Sequence, residues 1–237
     1  MPVATSPRAA SRGRVPQAVG SSDSRRARPR SWHDRRMTPR PEQRASAPVT
    51  TEQLAQALSA VGALVDGVRD DQWSDQTPCA DWTVRDLINH LVQVNESFSA
   101  QLHDRTPPGP DADLLGDDPV GAYRRSAAEL VGSLDRSGNA QAAPGPLGVS
   151  TGAERVQLRL ADLLAHGWDL ARATGQEVGF PEDVVEQALV FVRGRLDAAP
   201  RADRFGEARP VAEDAPVVDR FAAFLGRPPE WTPGLKP

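Results

Sequence analysis

Asp162 and His166 stand four residues apart in the run DLLAHGWDLARAT, residues 162–174. On a helix that spacing offsets them by only ~40° around the axis, so a carboxylate and an imidazole can converge on one cation. Two side chains hold an ion poorly, and a third donor must come from elsewhere in the fold. The chain has four histidines, His33, His90, His103 and His166, and His90 lies in a second strongly helical run, DWTVRDLINHLVQVNESF. Two imidazoles and one carboxylate leave coordination positions open, which is how metal sites that bind and activate a small molecule are built. Zn²⁺ suits such a set, and Fe²⁺, Ni²⁺ or Mn²⁺ are also chemically admissible.

The elements that must carry these residues are helices. Leu54, Leu58, Val61, Leu64, Val65 and Val68 repeat at three- and four-residue steps behind a capping box of Thr50 and Gln53, predicting a helix over about 51–69. A loop from Ser74 to Asp81, with Pro78 and Cys79, leads to Thr83, which can cap a second helix with Asp86 at its third position. That helix runs to about 103 with Val84, Leu87, Ile88, Leu91, Asn95 and Phe98 inward and His90 on the shoulder of the stripe. Asp118 and Pro119 open a third helix to about 135, with Tyr123, Ala127, Leu130, Val131 and Leu134 inward. Residues Ser137 to Gly152 read as loop. A fourth helix, about 153–174, ends at Gly175 and is apolar nearly all round, which marks it as central. A fifth follows Pro181 to about 197, and a short sixth spans Pro216 to Leu225. The one candidate strand lies near Phe205–Val211. The pattern is that of an all-α protein, a four-helix bundle with additional C-terminal helices, whose core can hold a metal between facing helices.

Charge divides the chain in two. Residues 1–48 hold 11 Arg against Asp23, Asp34 and Glu42, whereas the rest carries a net charge of −12. The first segment, rich in Arg, Pro, Ser and Ala without apolar periodicity, is expected to be a disordered basic extension, with the folded domain over 49–237. Electrostatic contact of this tail with nucleic acid is not expected: all but one of the 28 basic residues are Arg, a bias of base composition, and Met37 is a natural start just before the folded part. A single Cys rules out an internal disulfide framework and favours a reducing, cytoplasmic setting. No apolar run reaches the ~18 residues of a membrane span.

The runs TPCADWTVRDLINHLVQVNESF and ADLLAHGWDLARATG resemble the DinB-like metal-binding four-helix bundles related to the N-terminal domain of mycothiol-dependent maleylpyruvate isomerase. The similarity covers about 51–229. It implies a divalent metal, usually zinc, bound by a histidine of the second helix and by an acidic residue and a histidine of the fourth; the matching positions are His90, Asp162 and His166. The isomerase carries Glu at the acidic position, where this chain has the shorter Asp162. The resemblance further implies that the centre binds a small thiol, mycothiol being the cosubstrate, and acts on a small-molecule electrophile.

Three functions are compatible with these residues. The chain is a metal- and thiol-dependent transferase or isomerase, a non-catalytic metal-binding protein, or a metal-free helical bundle that uses the same side chains for packing and hydrogen bonds. Metal analysis separates the last from the first two. Asp169 either hydrogen-bonds a ligand histidine or pairs with Arg172 one turn on. Trp168 reads as core, Cys79 as loop packing, and His103 as a favourable charge at a helix C-terminus. Glu96 and Glu129 are reserve ligands.

Overall fold

Six helices account for most of the described chain: α1 (Thr51–Asp66), α2 (Val84–Leu102), α3 (Pro119–Ser137), α4 (Gly152–Thr174), α5 (Glu182–Ala198) and α6 (Val217–Phe224). The computed structural model describes residues 48–79, 81–137, 143–145, 148–150, 152–198, 201 and 205–234. The extension expected over 1–48 therefore lies outside the described residues, Pro48 excepted.

Each helix begins and ends where its local chemistry directs. Thr50 and Gln53 form the reciprocal capping box of α1, and Thr83 and Asp86 form that of α2. Asp118 accepts from the Gly121 amide at the start of α3 (2.9 Å), leaving Pro119 at the first helical position, where its missing N–H costs nothing. Gly175 closes α4 at φ 71° while the Gln176 amide reaches back to the Ala171 carbonyl (3.0 Å). That positive φ is open to glycine at little cost.

In the bundle, α1 and α2 each pack against both α3 and α4. The apolar faces meet in one core of Leu54, Val61 and Val65 from α1, Leu87, Ile88 and Leu91 from α2, Tyr123 and Leu130 from α3, and Leu160, Leu163 and Leu164 from α4. Each fully buried Leu or Ile contributes roughly 1.5–3 kcal/mol relative to exposure. Tyr123 donates its hydroxyl to the Leu58 carbonyl (3.0 Å), tying α3 to α1 without leaving an unpaired polar atom.

α4 is the central element, because α5 and α6 cover the face that the bundle leaves open. Sixteen of its 23 residues are buried, as its all-round apolar pattern predicts. Gly167 permits this crowding: a Cβ there would lie 2.5 Å from Cζ of Phe180 and 3.0 Å from Cγ2 of Val61.

Two local expectations change. The segment read as loop between α3 and α4 contains a short antiparallel hairpin, β1 (Ala143–Gly145) with β2 (Gly148–Ser150). Residues 205–211, by contrast, form no strand. Arg209 there donates its amide to the Ala223 carbonyl of α6 (2.8 Å) as a single bond rather than a ladder.

Candidate metal centre

Two helices bring His90, Asp162 and His166 together. α4 supplies Asp162 and His166 one turn apart, and α2 delivers His90 across the helix pair. Nε2 of His90 lies 3.4 Å and Nε2 of His166 3.5 Å from the same oxygen, Oδ1 of Asp162. One donor atom from each of the three residues lies within 4.8 Å of the others. Around a tetrahedral Zn²⁺ with N and O ligands at 2.0–2.2 Å, neighbouring donors stand roughly 3.3–3.6 Å apart. The two spacings onto Asp162 match that range, and two imidazoles with one carboxylate suit a divalent ion in chemistry.

The site is open on one side. The side chains of His90 and Asp162 are 25% and 28% exposed, whereas that of His166 is 10% exposed. Trp82 forms a wall: its ring centroid lies 4.7 Å from that of His90 and 5.5 Å from that of His166. The loop before α2 holds Trp82 there. Thr77 donates its hydroxyl to the Trp82 carbonyl (3.0 Å), the Trp82 amide donates to the Cys79 carbonyl (3.2 Å), and Asp81 adopts φ 68° to make the turn.

Behind the imidazole of His166 lies a buried acid. Asp169 Oδ2 accepts from His166 Nδ1 (3.0 Å), which puts a proton on Nδ1 and turns Nε2 toward Asp162. Asp169 is fully buried, and Arg227 grips it through Nη2 to Oδ2 (2.9 Å) and Nε to Oδ1 (3.3 Å). Burial opposes its ionisation, but the charges and hydrogen bonds of Arg227 and His166 outweigh burial and hold its carboxyl below the usual range. Of the two roles open to Asp169 from the sequence, it takes the hydrogen bond to the histidine. Arg172 pairs instead with Asp219 (2.8 Å), which also accepts from Nε1 of the buried core residue Trp168 (2.7 Å).

Asp162 has a further partner that no sequence pattern points to. Arg159, one turn earlier on α4 and only 2% exposed, donates Nη1 to Asp162 Oδ2. It is anchored on α2 by Nη2 to Asn95 Oδ1 (2.7 Å), Nε to the same oxygen (3.2 Å) and Nη2 to the Leu91 carbonyl (3.2 Å). Asn95 in turn donates to Ser126 of α3 (3.1 Å). Burial disfavours the Asp162 carboxylate, yet His166, His90 and Arg159 together hold it well below its ordinary value. Arg227 had a faint local signal: Gly226 at φ 91° closes α6 with the Gly226 amide on Ala223 and the Arg227 amide on Ala222 (both 3.0 Å), and this turn places Arg227.

The remaining candidates fall away from the centre. His103 caps α2 and shares Nε2 with Ser133 (3.0 Å) and Arg136 (3.3 Å). Glu129 pairs with Arg105 at the surface (3.2 Å), and neither it nor Glu96 joins a metal-capable group among the described residues. Cys79 comes closer than loop packing predicts: its Sγ lies within 4.8 Å of donor atoms of both His166 and Asp169. This second group is poorly suited to a cation, because Arg227 and His166 already occupy both oxygens of Asp169. Burial, followed by the charge of Asp169, pushes the Cys79 thiol up to about 11, so it stays protonated at neutral pH.

The chain is 34% identical over 183 residues to the uncharacterized proteins Rv0738 and MT0763 of two Mycobacterium tuberculosis strains, H37Rv and CDC 1551 / Oshkosh, covering 76% of this chain and 97% of each relative. A crystal structure of the mycothiol-dependent maleylpyruvate isomerase superposes with a TM-score of 0.49 at 16% identity, over 62% of this chain and 67% of that one. A variant of the same isomerase gives a TM-score of 0.48 at 15% identity over the same shares. Residues 54–171, which span α1 to α4 and include all three clustered donors, match the mycothiol maleylpyruvate isomerase N-terminal domain, and the chain belongs to that family.

Proposed function

We propose that this protein holds one divalent cation, Zn²⁺ foremost, on His90, Asp162 and His166, and uses it with a small thiol such as mycothiol to transfer that thiol to, or isomerise, a small-molecule electrophile. The observation that carries the reading is the convergence of two imidazole nitrogens on one carboxylate oxygen at 3.4 and 3.5 Å, within the family-matched segment. Such an ion, when bound, supplies Lewis acidity that favours the thiolate form of a thiol at neutral pH.

The protein's own groups prepare the site. Asp169 fixes the His166 tautomer, and Arg227 keeps Asp169 ionised in a buried position. Trp82 shields the two imidazoles on one side, while the exposed edges of His90 and Asp162 leave a route for a ligand. Cys79, held protonated, does not compete with an incoming thiol as nucleophile. No helix among the described residues is long and apolar enough to cross a membrane, and a single cysteine suits a reducing cytoplasm.

The test is metal content followed by thiol titration. Natively purified protein should carry about one ion, and His90→Ala, His166→Ala and Asp162→Ala should each lose most of it. The Co²⁺-substituted protein titrated with mycothiol or N-acetylcysteine should develop sulfur-to-metal charge-transfer absorption, with thiol affinity lost in the metal-free protein. Full metal occupancy in all three variants would overturn the ligand assignment. Metal binding without the charge-transfer band would leave a non-catalytic metal-binding protein as the function.

A further inference from the structure

Among the groups around the candidate centre, Arg159 is the one whose position a metal-binding function does not by itself require. A guanidinium buried in the bundle is costly to desolvate, and it must be repaid by full hydrogen bonding. Arg159 has that: Asn95 and the Leu91 carbonyl take Nε and Nη2, and Asp162 Oδ2 takes Nη1. The consequence falls on Asp162. One of its oxygens is committed to Arg159, and only Oδ1 faces both histidines.

We infer that Arg159 is a positioning residue that restricts Asp162 to a single donor oxygen and offsets its negative charge, so that the centre binds its cation less tightly but presents it as a stronger receptor for an anionic ligand. This rests on the assignment of His90, Asp162 and His166 as the metal ligands. Two electrostatic consequences follow in opposite directions. A positive charge beside the carboxylate repels the cation and lowers its affinity, while the same charge strengthens the attraction of the loaded site for a thiolate. The restriction also keeps the coordination number low, because a carboxylate freed from Arg159 could turn both oxygens to the ion.

The experiment compares the full chain with Arg159→Met and Arg159→Lys, using Co²⁺ alone as the probe and then N-acetylcysteine as the thiol. Wild type should give the intense visible d–d bands of four-coordinate Co²⁺. In Arg159→Met the saturated spectrum should weaken and shift to shorter wavelength, Co²⁺ should bind about a hundredfold tighter, the order expected on removing a unit charge roughly 6 Å away at an effective dielectric of ~20, and thiol affinity of the loaded protein should fall by a similar factor. Arg159→Lys retains one charged donor for Oδ2 and should keep the wild-type spectrum. A purely structural role predicts a different outcome: both variants lose thermal stability and Co²⁺ affinity together, with the saturated spectrum unchanged, and that result would overturn the inference. If Arg159→Met does not fold, the inference stands or falls on Arg159→Lys, since a changed spectrum or a weakened thiol complex in that variant refutes it. Absence of Co²⁺ binding by wild type would refute the metal assignment itself, and is distinguishable because it is read before any variant is made.

Discussion

Truncating Asp169 to alanine removes the acceptor for three hydrogen bonds at once, two from Arg227 and one from His166. The Asp169 side chain is fully buried and that of Arg227 is 11% exposed, so Asp169→Ala leaves a nearly buried guanidinium without its counter-charge. Breaking a buried pair in this way costs about 3–5 kcal/mol. For a domain of this size, 1 kcal/mol moves the melting temperature by about 2–4 °C, which places the drop at roughly 6–20 °C. Arg227→Met should cost a comparable amount, because it strands the carboxylate instead. The double variant Asp169→Ala with Arg227→Met should be less destabilised than the sum of the singles by about 1–3 kcal/mol, since no buried charge is then left alone. Metal affinity provides the second measurement. Losing the partner that orients His166 should weaken Zn²⁺ binding about 10- to 100-fold, read by competition with a chromophoric chelator. Denaturant unfolding of the four proteins gives the stabilities. Strict additivity, or an Asp169→Ala protein with unchanged metal affinity, would refute the claim that Asp169 and Arg227 act as one unit behind the ligand histidine.

Other outcomes follow from the same structure. Gly167→Ala should destabilise by about 1–3 kcal/mol through contact with Phe180 and Val61, and Phe180→Leu in the same chain should recover part of the loss in thermal unfolding. Asp113, bonded to the Leu115 and Gly116 amides and to Arg85, should titrate below the ordinary carboxylate value of ~3.9 when followed by NMR. Because its folded pKa is the lower one, its small contribution to stability is present above that ordinary value and is lost as pH falls through the folded pKa; a carboxyl that titrates at the ordinary value would refute the bonding pattern. Deleting residues 1–36, whose sequence lacks an apolar face, should leave melting temperature and metal content unchanged, and resistance of that segment to trypsin despite its many Arg sites would argue against the proposed disordered extension.

What the sequence alone determined was nearly the whole of the helical frame and one edge of the site. Helix boundaries are local events: Thr50, Thr83, Asp118 and Gly175 cap or close their helices through atoms within a few residues, so periodicity and cap chemistry sufficed to place α1 to α4. The i, i+4 pairing of Asp162 with His166 was legible for the same reason. His90, 72 residues earlier, required the additional clue of motif resemblance. The tertiary structure alone decided which partners complete the centre. Arg159 reads in sequence as one more charge on a helix, and its burial depends on Asn95 arriving from α2, 64 residues away. Trp82, Arg227 and the choice of Asp169 between His166 and Arg172 likewise depend on where loops and α6 come to rest against α4. A buried ion pair is stable only when desolvation of both charges is offset by partners on other elements, and no local pattern encodes that balance.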